Sequence, residues 1–232
     1  MYSILCLKLE ILTLLSEGIG KLVNLEELNL QDCRQLLELP ADFGGLKSLK
    51  VLNLSSSDPW DEPSLRSLPE GIRQLVNLDE ESMKGILEQC KRFESIPSTL
   101  FDHPYFRTLT TLDLSGWRMT ALPEGIGGLP LKELKLDGCD KLTLPESFIQ
   151  LQLPDDNFMK CCKQVARIPE SIVEHHLFKD ATSLDLSSAN LVALPNTFEK
   201  LTNLKELNLA LEQLNGWLAT RVDARFFAVA GR

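Results

Sequence analysis

Leu25-Glu26-Glu27-Leu28-Asn29-Leu30-Gln31-Asp32-Cys33-Arg34-Gln35-Leu36-Leu37-Glu38-Leu39-Pro40 spaces two leucines by one polar residue, reaches a cysteine three residues later, and closes on Leu-Pro. Alternation with period two over so short a run is the signature of a strand with one buried face. The closing proline fixes φ and brings no N–H to a ladder, so it turns the chain away. The frame returns at Leu49, Leu52 and Leu54; at Leu109, Leu112 and Leu114; at Leu131, Leu134 and Leu136; at Thr182, Leu184 and Leu186; and at Leu204, Leu207 and Leu209. Prolines mark the beat at Pro40, Pro69, Pro97, Pro123, Pro145, Pro169 and Pro195, with Ser16 in the first place and steps of 22 to 29 residues.

Two units lack the Leu-x-Leu core but align with each other 72 residues apart: Leu87-Glu88-Gln89-Cys90 through Phe93 to Ile96-Pro97, and Met159-Lys160-Cys161-Cys162 through Val165 to Ile168-Pro169. Leu112-Asp113-Leu114-Ser115 recurs at the same offset as Leu184-Asp185-Leu186-Ser187, which points to a duplicated block of three coils. A fixed period in this range is that of a stacked-coil array, in which no coil can bury its apolar face alone. The expectation is an α/β solenoid of about nine coils over 1–218, with 219–232 as a C-terminal tail or cap. Its strands should pair into a parallel sheet along a concave face, with the leucines and the Ile or Phe after each proline inside.

The segment Leu25–Pro40 resembles a leucine-rich repeat. Leu122-Pro123-Glu124-Gly125-Ile126-Gly127, and Leu68-Pro69-Glu70-Gly71-Ile72, resemble the intracellular plant Ras-group and Ras-scaffold repeat proteins. The units at Leu28–Leu36 and Leu134–Leu142 resemble the repeat tails of plant disease-resistance receptors. The resemblance spans nearly the whole chain. It implies a curved, right-handed solenoid and recognition of a protein partner, and its shared motifs are structural, so it transfers no functional residue.

A net charge of -9 and a pI near 4.9 leave no general basic surface for phosphates, which disfavours nucleic acid and favours a basic partner. Lys8 and Glu10 interrupt the apolar run Ile4-Leu5-Cys6-Leu7, and no window approaches the roughly 20 apolar residues of a membrane span, so the expectation is a cytoplasmic protein without a membrane segment. That same run begins a coil near Met1 without a polar cap, which makes self-association through this end an expectation too.

Cys33, Cys90, Cys139 and Cys162 each fall three residues after a leucine or methionine, the Asn/Cys position of the repeat. There they read as inward structural thiols, not metal ligands, and no cofactor is expected. Trp117 holds the same position and reads as buried. His103 and His175 are related by the duplication, with no nucleophile and acid converging on either, so no enzyme is expected. The run Gly125 to Gly128 lacks the Lys-Ser/Thr ending of a phosphate loop and reads as turn. Leu54 to Leu68 spans 14 residues where Leu30 to Leu39 spans 9, so the insert 55–64 leaves the coil with Trp60. Trp60 has two readings of equal weight, a partner anchor and a lid over its own coil.

Outward strand positions supply the partner-binding candidates: Glu27, Asn29, Gln31, Asn53, Asp113, Ser115, Glu133, Lys135, Asp137, Asp185, Ser187, Glu206 and Asn208, with Trp60 from the insert. Asp113, Asp137 and Asp185 read as an acidic row; ordinary solvation is the competing reading. The expected function is a non-enzymatic protein-interaction scaffold. Alternatives are the ligand-sensing repeat region of a larger receptor or adaptor and, more weakly, binding of a carbohydrate or another flat polar surface. Failing the strand row, the loops at His103 and His175 are the next candidates.

Overall fold

Each Leu-x-Leu core forms a short strand in the computed structural model, which describes the backbone of residues 3–6 and the whole of residues 12–56 and 65–209. The chain divides into two compact units, Met1–Leu109 and Thr110–Arg232. In the first, β1 (Ser3–Cys6), β2 (Leu25–Asn29) and β3 (Val51–Asn53) pair in parallel, with Leu28 opposite Leu52 and Asn29 opposite Asn53. In the second, β4 (Thr111–Asp113) pairs with β5 (Glu133–Lys135), and β6 (Ser183–Leu186) with β7 (Glu206–Leu209), all parallel.

Opposite the strands, each closing proline from Pro40 on, except Pro97, directly precedes a five-residue 3-10 helix, as at Ala41–Gly45, Glu70–Gln74, Glu124–Gly128 and Glu146–Gln150. Proline pre-sets the entry and the tighter helix suits the short span. As expected, the Ile or Phe that follows points inward: Phe43, Ile72, Ile126, Phe148 and Ile172 are fully buried, beside Leu28, Leu46, Leu114 and Leu136. Burying one such side chain is worth about 1.5–3 kcal/mol. Coils stack so closely here that a Cβ on Gly127 would lie 2.3 Å from the Ser147 carbonyl oxygen. Gly127 is therefore a close-approach residue within the 3-10 helix.

The two units without Leu-x-Leu are helical, which departs from the expected uninterrupted sheet. α1 (Glu80–Cys90) and α2 (Asp155–Gln164) stand where a strand would follow β3 and β5. Lys50 N–H donates to Glu26 O and Asp79 N–H donates to Lys50 O, so the strand ladder reaches the residue before α1 and stops there. Asp79 caps α1 by accepting from Ser82 N–H at 2.8 Å, with Glu80 and Glu81 in the first turn where the helix dipole favours them. Buried Ser82, Met83, Ile86 and Cys90 follow helical spacing; in α2, Pro154, Asp155 and Asp156 open the helix and Phe158, Cys161 and Cys162 are buried.

Cys90, Cys139, Cys161 and Cys162 are free thiols. Cys139 fulfils the expected role, its Sγ donating to Leu114 O at 3.1 Å. Cys90 and Cys162 do not occupy that position, since both lie in helices. Burial pushes the Cys90 and Cys161 thiols up to about 12 and holds Cys162 well above its usual value, so all three stay protonated. Trp117 is buried as expected, and its indole N–H has no hydrogen-bond partner among the described residues.

Candidate interaction face

The side chains between the strand leucines point away from the core. Asp113 and Asp185 are exposed, while Leu112, Leu114, Leu184 and Leu186 are buried. Glu27, Asn29, Gln31, Asn53, Ser115, Glu133, Lys135 and Ser187 are half-buried, and Asp137, Glu206 and Asn208 exposed. Trp60 and the insert over 57–64 lie outside the described residues, as do 210–218 of the last coil, the tail 219–232 and the side chains of the first coil over 1–11.

Four of these candidates also shape the backbone. Asn29, Asn53, Asp113 and Asp185 each accept, through Oδ1, the backbone N–H two residues on, at Gln31, Ser55, Ser115 and Ser187, over 2.9–3.0 Å. An Asx turn of this kind ends β2, β3, β4 and β6, and the residue after the turn donor takes positive φ at Asp32 and Gly116; Gly138 takes it at the equivalent place beyond β5, where Lys135 replaces the Asx residue. Ser187 Oγ adds a second bond to Asp185 at 2.7 Å. These Ser187 bonds, from side chain and then backbone, hold the Asp185 carboxyl below its ordinary value.

The acidic row does not run straight. Asp113 stands opposite Lys135 in the ladder, with their charges 4.0 Å apart, and Lys135 is also 3.9 Å from Glu133. Asp137 lies two residues beyond Lys135, at the position of Ser115 and Ser187. It is gripped from α2: Lys160 Nζ donates at 3.2 Å, and Gln164 Nε2 donates to the other carboxylate oxygen. Lys160, followed by Gln164, lowers the Asp137 pKa. Asp113 and Asp185 remain equivalent, each second in a Leu-Asp-Leu-Ser stretch.

α2 closes the β5 edge with an amide in place of a strand. Leu134 N–H donates to Asn157 Oδ1 and Asn157 Nδ2 donates to Leu134 O, both at 3.0 Å. At β3 the counterpart is Ser82 Oγ, which accepts from Leu52 N–H at 2.9 Å. Lys160, Gln164, Asn157 and Ser82 were invisible to a reading that looked for strand periodicity. Their signal was the acidic helix opening ahead of each, Asp79-Glu80-Glu81 and Pro154-Asp155-Asp156.

A second set of carboxylates ties coil to coil beside the 3-10 helices. Glu124 accepts from Glu146 and Ser147 N–H; Glu146 accepts from Glu170 and Ser171 N–H; Glu170 accepts from Asn196 and Thr197 N–H. Ser147, Ser171 and Thr197 each return a hydroxyl bond to the preceding Glu carbonyl. Glu70 does the same with Ser98 and Thr99 in the first unit. The Glu of Leu-Pro-Glu is thus an inter-coil staple, legible only by reading Pro-Glu against the Pro-x-Ser/Thr of the next coil.

His103 and His175 keep equivalent roles, each accepting through Nδ1 the N–H two residues on, at Tyr105 and Leu177. His103 is buried, which counts against its side chain as the next candidate for partner contact. His175 is half-buried, stacked on Phe158 with ring centroids 3.8 Å apart. No group of three or more His, Cys, Asp or Glu side chains could hold a metal ion among the described residues. No helix there is long and apolar enough to cross a membrane.

The Leucine Rich Repeat family profile matches residues 24–46. The chain is 32% identical over 158 residues to the disease resistance-like protein DSC1 of Arabidopsis thaliana, covering 67% of this chain and 12% of that protein. It is 32% identical over 143 residues to the disease resistance protein RPS4B of Arabidopsis thaliana, covering 56% and 12%. It is 30% identical over 182 residues to the human volume-regulated anion channel subunit LRRC8B, covering 74% and 20%. The chain therefore spans between about a tenth and a fifth of these relatives' own lengths. Among solved structures, an LRR protein of Leptospira interrogans aligns over 88% of this chain and 59% of its own, at 21% identity and a TM-score of 0.31. The Drosophila Toll–Spatzle complex aligns over 89% and 26%, at 24% identity and a TM-score of 0.37. The chain is a leucine-rich-repeat protein. Its repeats resemble those of plant disease-resistance proteins.

Proposed function

We propose that this chain is a non-enzymatic recognition module that binds another protein through the outward side chains of its strands, in a right-handed array of about nine coils over 1–218 with the strands concave and 219–232 as tail. The observation that carries this reading is a set of outward side chains held in register on parallel strands, four of them pinned at the strand ends by Asx turns. Such pre-ordering lowers the entropy cost of binding. The contact residues are Glu27, Asn29, Gln31, Asn53, Asp113, Ser115, Glu133, Lys135, Asp137, Asp185, Ser187, Glu206 and Asn208, joined by Trp60 from the insert.

The exposed carboxylates at Asp113 and Asp185 suit a basic partner. Reversing both, as Asp113→Lys with Asp185→Lys, should abolish capture of the main partner while the circular dichroism spectrum stays unchanged. Unchanged affinity in the folded double variant sinks the reading. Asp137 is left out because its reversal would also push Lys160 away.

A second reading takes the chain as the ligand-sensing repeat region of a larger receptor. It is favoured by the small share of each resistance protein that the chain spans. Free thiols at Cys90, Cys139, Cys161 and Cys162 support the proposal of a reducing, cytoplasmic location.

A further inference from the structure

His103 is a titratable side chain only 1% exposed, and the recognition reading makes no use of it. Both ring nitrogens are committed to backbone groups. Nε2 lies 3.0 Å from Leu75 O, which can only accept, so Nε2 carries the proton. Nδ1 lies 3.2 Å from Tyr105 N–H, which can only donate, so Nδ1 is bare. The neutral Nε2–H tautomer alone satisfies both partners. Through it the turn Pro104–Thr108 is tied to the coil that carries Leu75, 28 residues earlier.

We propose that His103 is a proton-sensitive lock, which holds the 103–109 turn against the preceding coil when neutral and releases it when Nδ1 takes up a proton. A protonated Nδ1 would set N–H against N–H at Tyr105 and leave a charge in a buried site. The charged and titratable neighbours offer no compensation. Glu70 on the 3-10 helix before Leu75 is spent on Ser98 and Thr99, and Glu80 of α1 on Lys84 at 2.8 Å. Arg73, Asp102 and Arg107 are exposed, and Tyr105 is half-buried. Burial holds the His103 imidazole below its ordinary value of 6.5, against a smaller opposing pull from the Leu75 carbonyl.

The direction follows from linkage. Once opened, the imidazole protonates near 6.5; in the lock it protonates lower. The lock is therefore intact above about pH 6.5 and weakens as pH falls from there toward the lowered value. Release uncovers Phe106, which is fully buried with its ring 5.1 Å from that of Phe101.

Hydrogen exchange of the full chain between pH 7.5 and 5.0, corrected for the intrinsic rate, tests the lock at the Tyr105 and Phe106 amides. Protection there should fall as pH drops below 6.5, with a limiting slope of about tenfold per pH unit for the one proton taken up on opening, and level off below the lowered value. His103→Asn can still accept from Tyr105 N–H but does not titrate, and its profile should be flat. Equal pH dependence in wild type and variant, or none in wild type, overturns the proposal. Should the variant misfold, nitrogen chemical shifts of the wild-type imidazole decide instead. An Nδ1–H tautomer, or a titration at or above 6.5, is incompatible with the lock.

Discussion

α1 and α2 replace a strand at equivalent places in the duplicated block, yet they close the neighbouring sheet edge with different chemistry. At β3 a hydroxyl accepts one bond, from Leu52 N–H to Ser82 Oγ. At β5 a primary amide returns both bonds of a strand, satisfying Leu134 N–H and C=O through Asn157. α2 also reaches over the strand face with Lys160 and Gln164 to hold Asp137, whereas α1 reaches Leu54 O through Gln89 Nε2. A helix can thus stand in for a strand when one side chain reproduces the missing peptide group, and the quality of the copy differs between the units.

The largest expected effect tests that copy. Asn157→Ala strands the N–H of Leu134 and leaves its C=O only the longer bond from Cys161 Sγ at 3.4 Å. An unsatisfied buried group costs about 1–3 kcal/mol and the weakened carbonyl adds to it, so the loss should be about 2–3 kcal/mol. Ser82→Ala strands only the Leu52 N–H and should cost about 1–2 kcal/mol. Urea unfolding of both variants measures the pair. Equal losses would mean that the amide is no better a substitute than the hydroxyl.

That contrast also marks where the sequence was legible. Wherever leucines alternate, as at Leu112-Asp113-Leu114, strand, facing and register followed directly, because period two has only one half-buried solution. The turns after Pro40, Pro69, Pro123 and Pro145 were equally plain. The helical coils were not, since alignment of Leu87–Cys90 with Met159–Cys162 forced onto them a strand-frame cysteine. Asp79 and Pro154, which open the helices, are 75 residues apart, whereas Phe93 and Val165 beyond them are 72 apart. α1 and its exit therefore carry three more residues. At the candidate face the outward set was readable from the alternation. The Asx turns and the grip on Asp137 were not, because both depend on which atoms meet across turns and coils.

A smaller, graded effect separates the units by pH. In the second unit hydrogen bonds lower two ladder carboxyls. At Glu124 and Glu170 burial is the largest single influence and raises the pKa; together the bonds from Ser147 and Glu146, and from Thr197 and Asn196, outweigh it. In the first unit the Thr99 hydroxyl leads in lowering Glu70. A carboxyl lowered by folding stabilises fully above its ordinary value near 4.5 and loses that contribution as pH falls through the folded value. Exchange protection beside the ladder should therefore fall between pH 5 and 3 in both units, and more steeply in the second. Glu124→Gln should flatten the response at Glu146 and Ser147 and leave the other staples unchanged. A response that persists there unchanged would exclude this carboxylate as its source.

The smallest effect is expected on the face itself, and it asks whether α2 alone reaches into the candidate site. Asp113→Asn keeps an oxygen for the Ser115 N–H and loses an exposed ion pair 4.0 Å long, so it should change stability by less than about 0.5 kcal/mol. Asp113→Ala, neutral on exposure alone, should cost about 0.5–1.5 kcal/mol because it also removes the bond that closes the Asx turn. At Asp137 the order reverses. Its structural partners are the side chains of Lys160 and Gln164, so even Asp137→Asn removes the charge that draws Lys160 across the face. The measurable consequence lies in α2: hydrogen exchange near Lys160 should quicken in Asp137→Asn and stay unchanged in Asp113→Asn. Unchanged exchange in both would mean that the helix is held by Asn157 and its apolar face alone, leaving Asp137 as free as Asp185 to meet a partner.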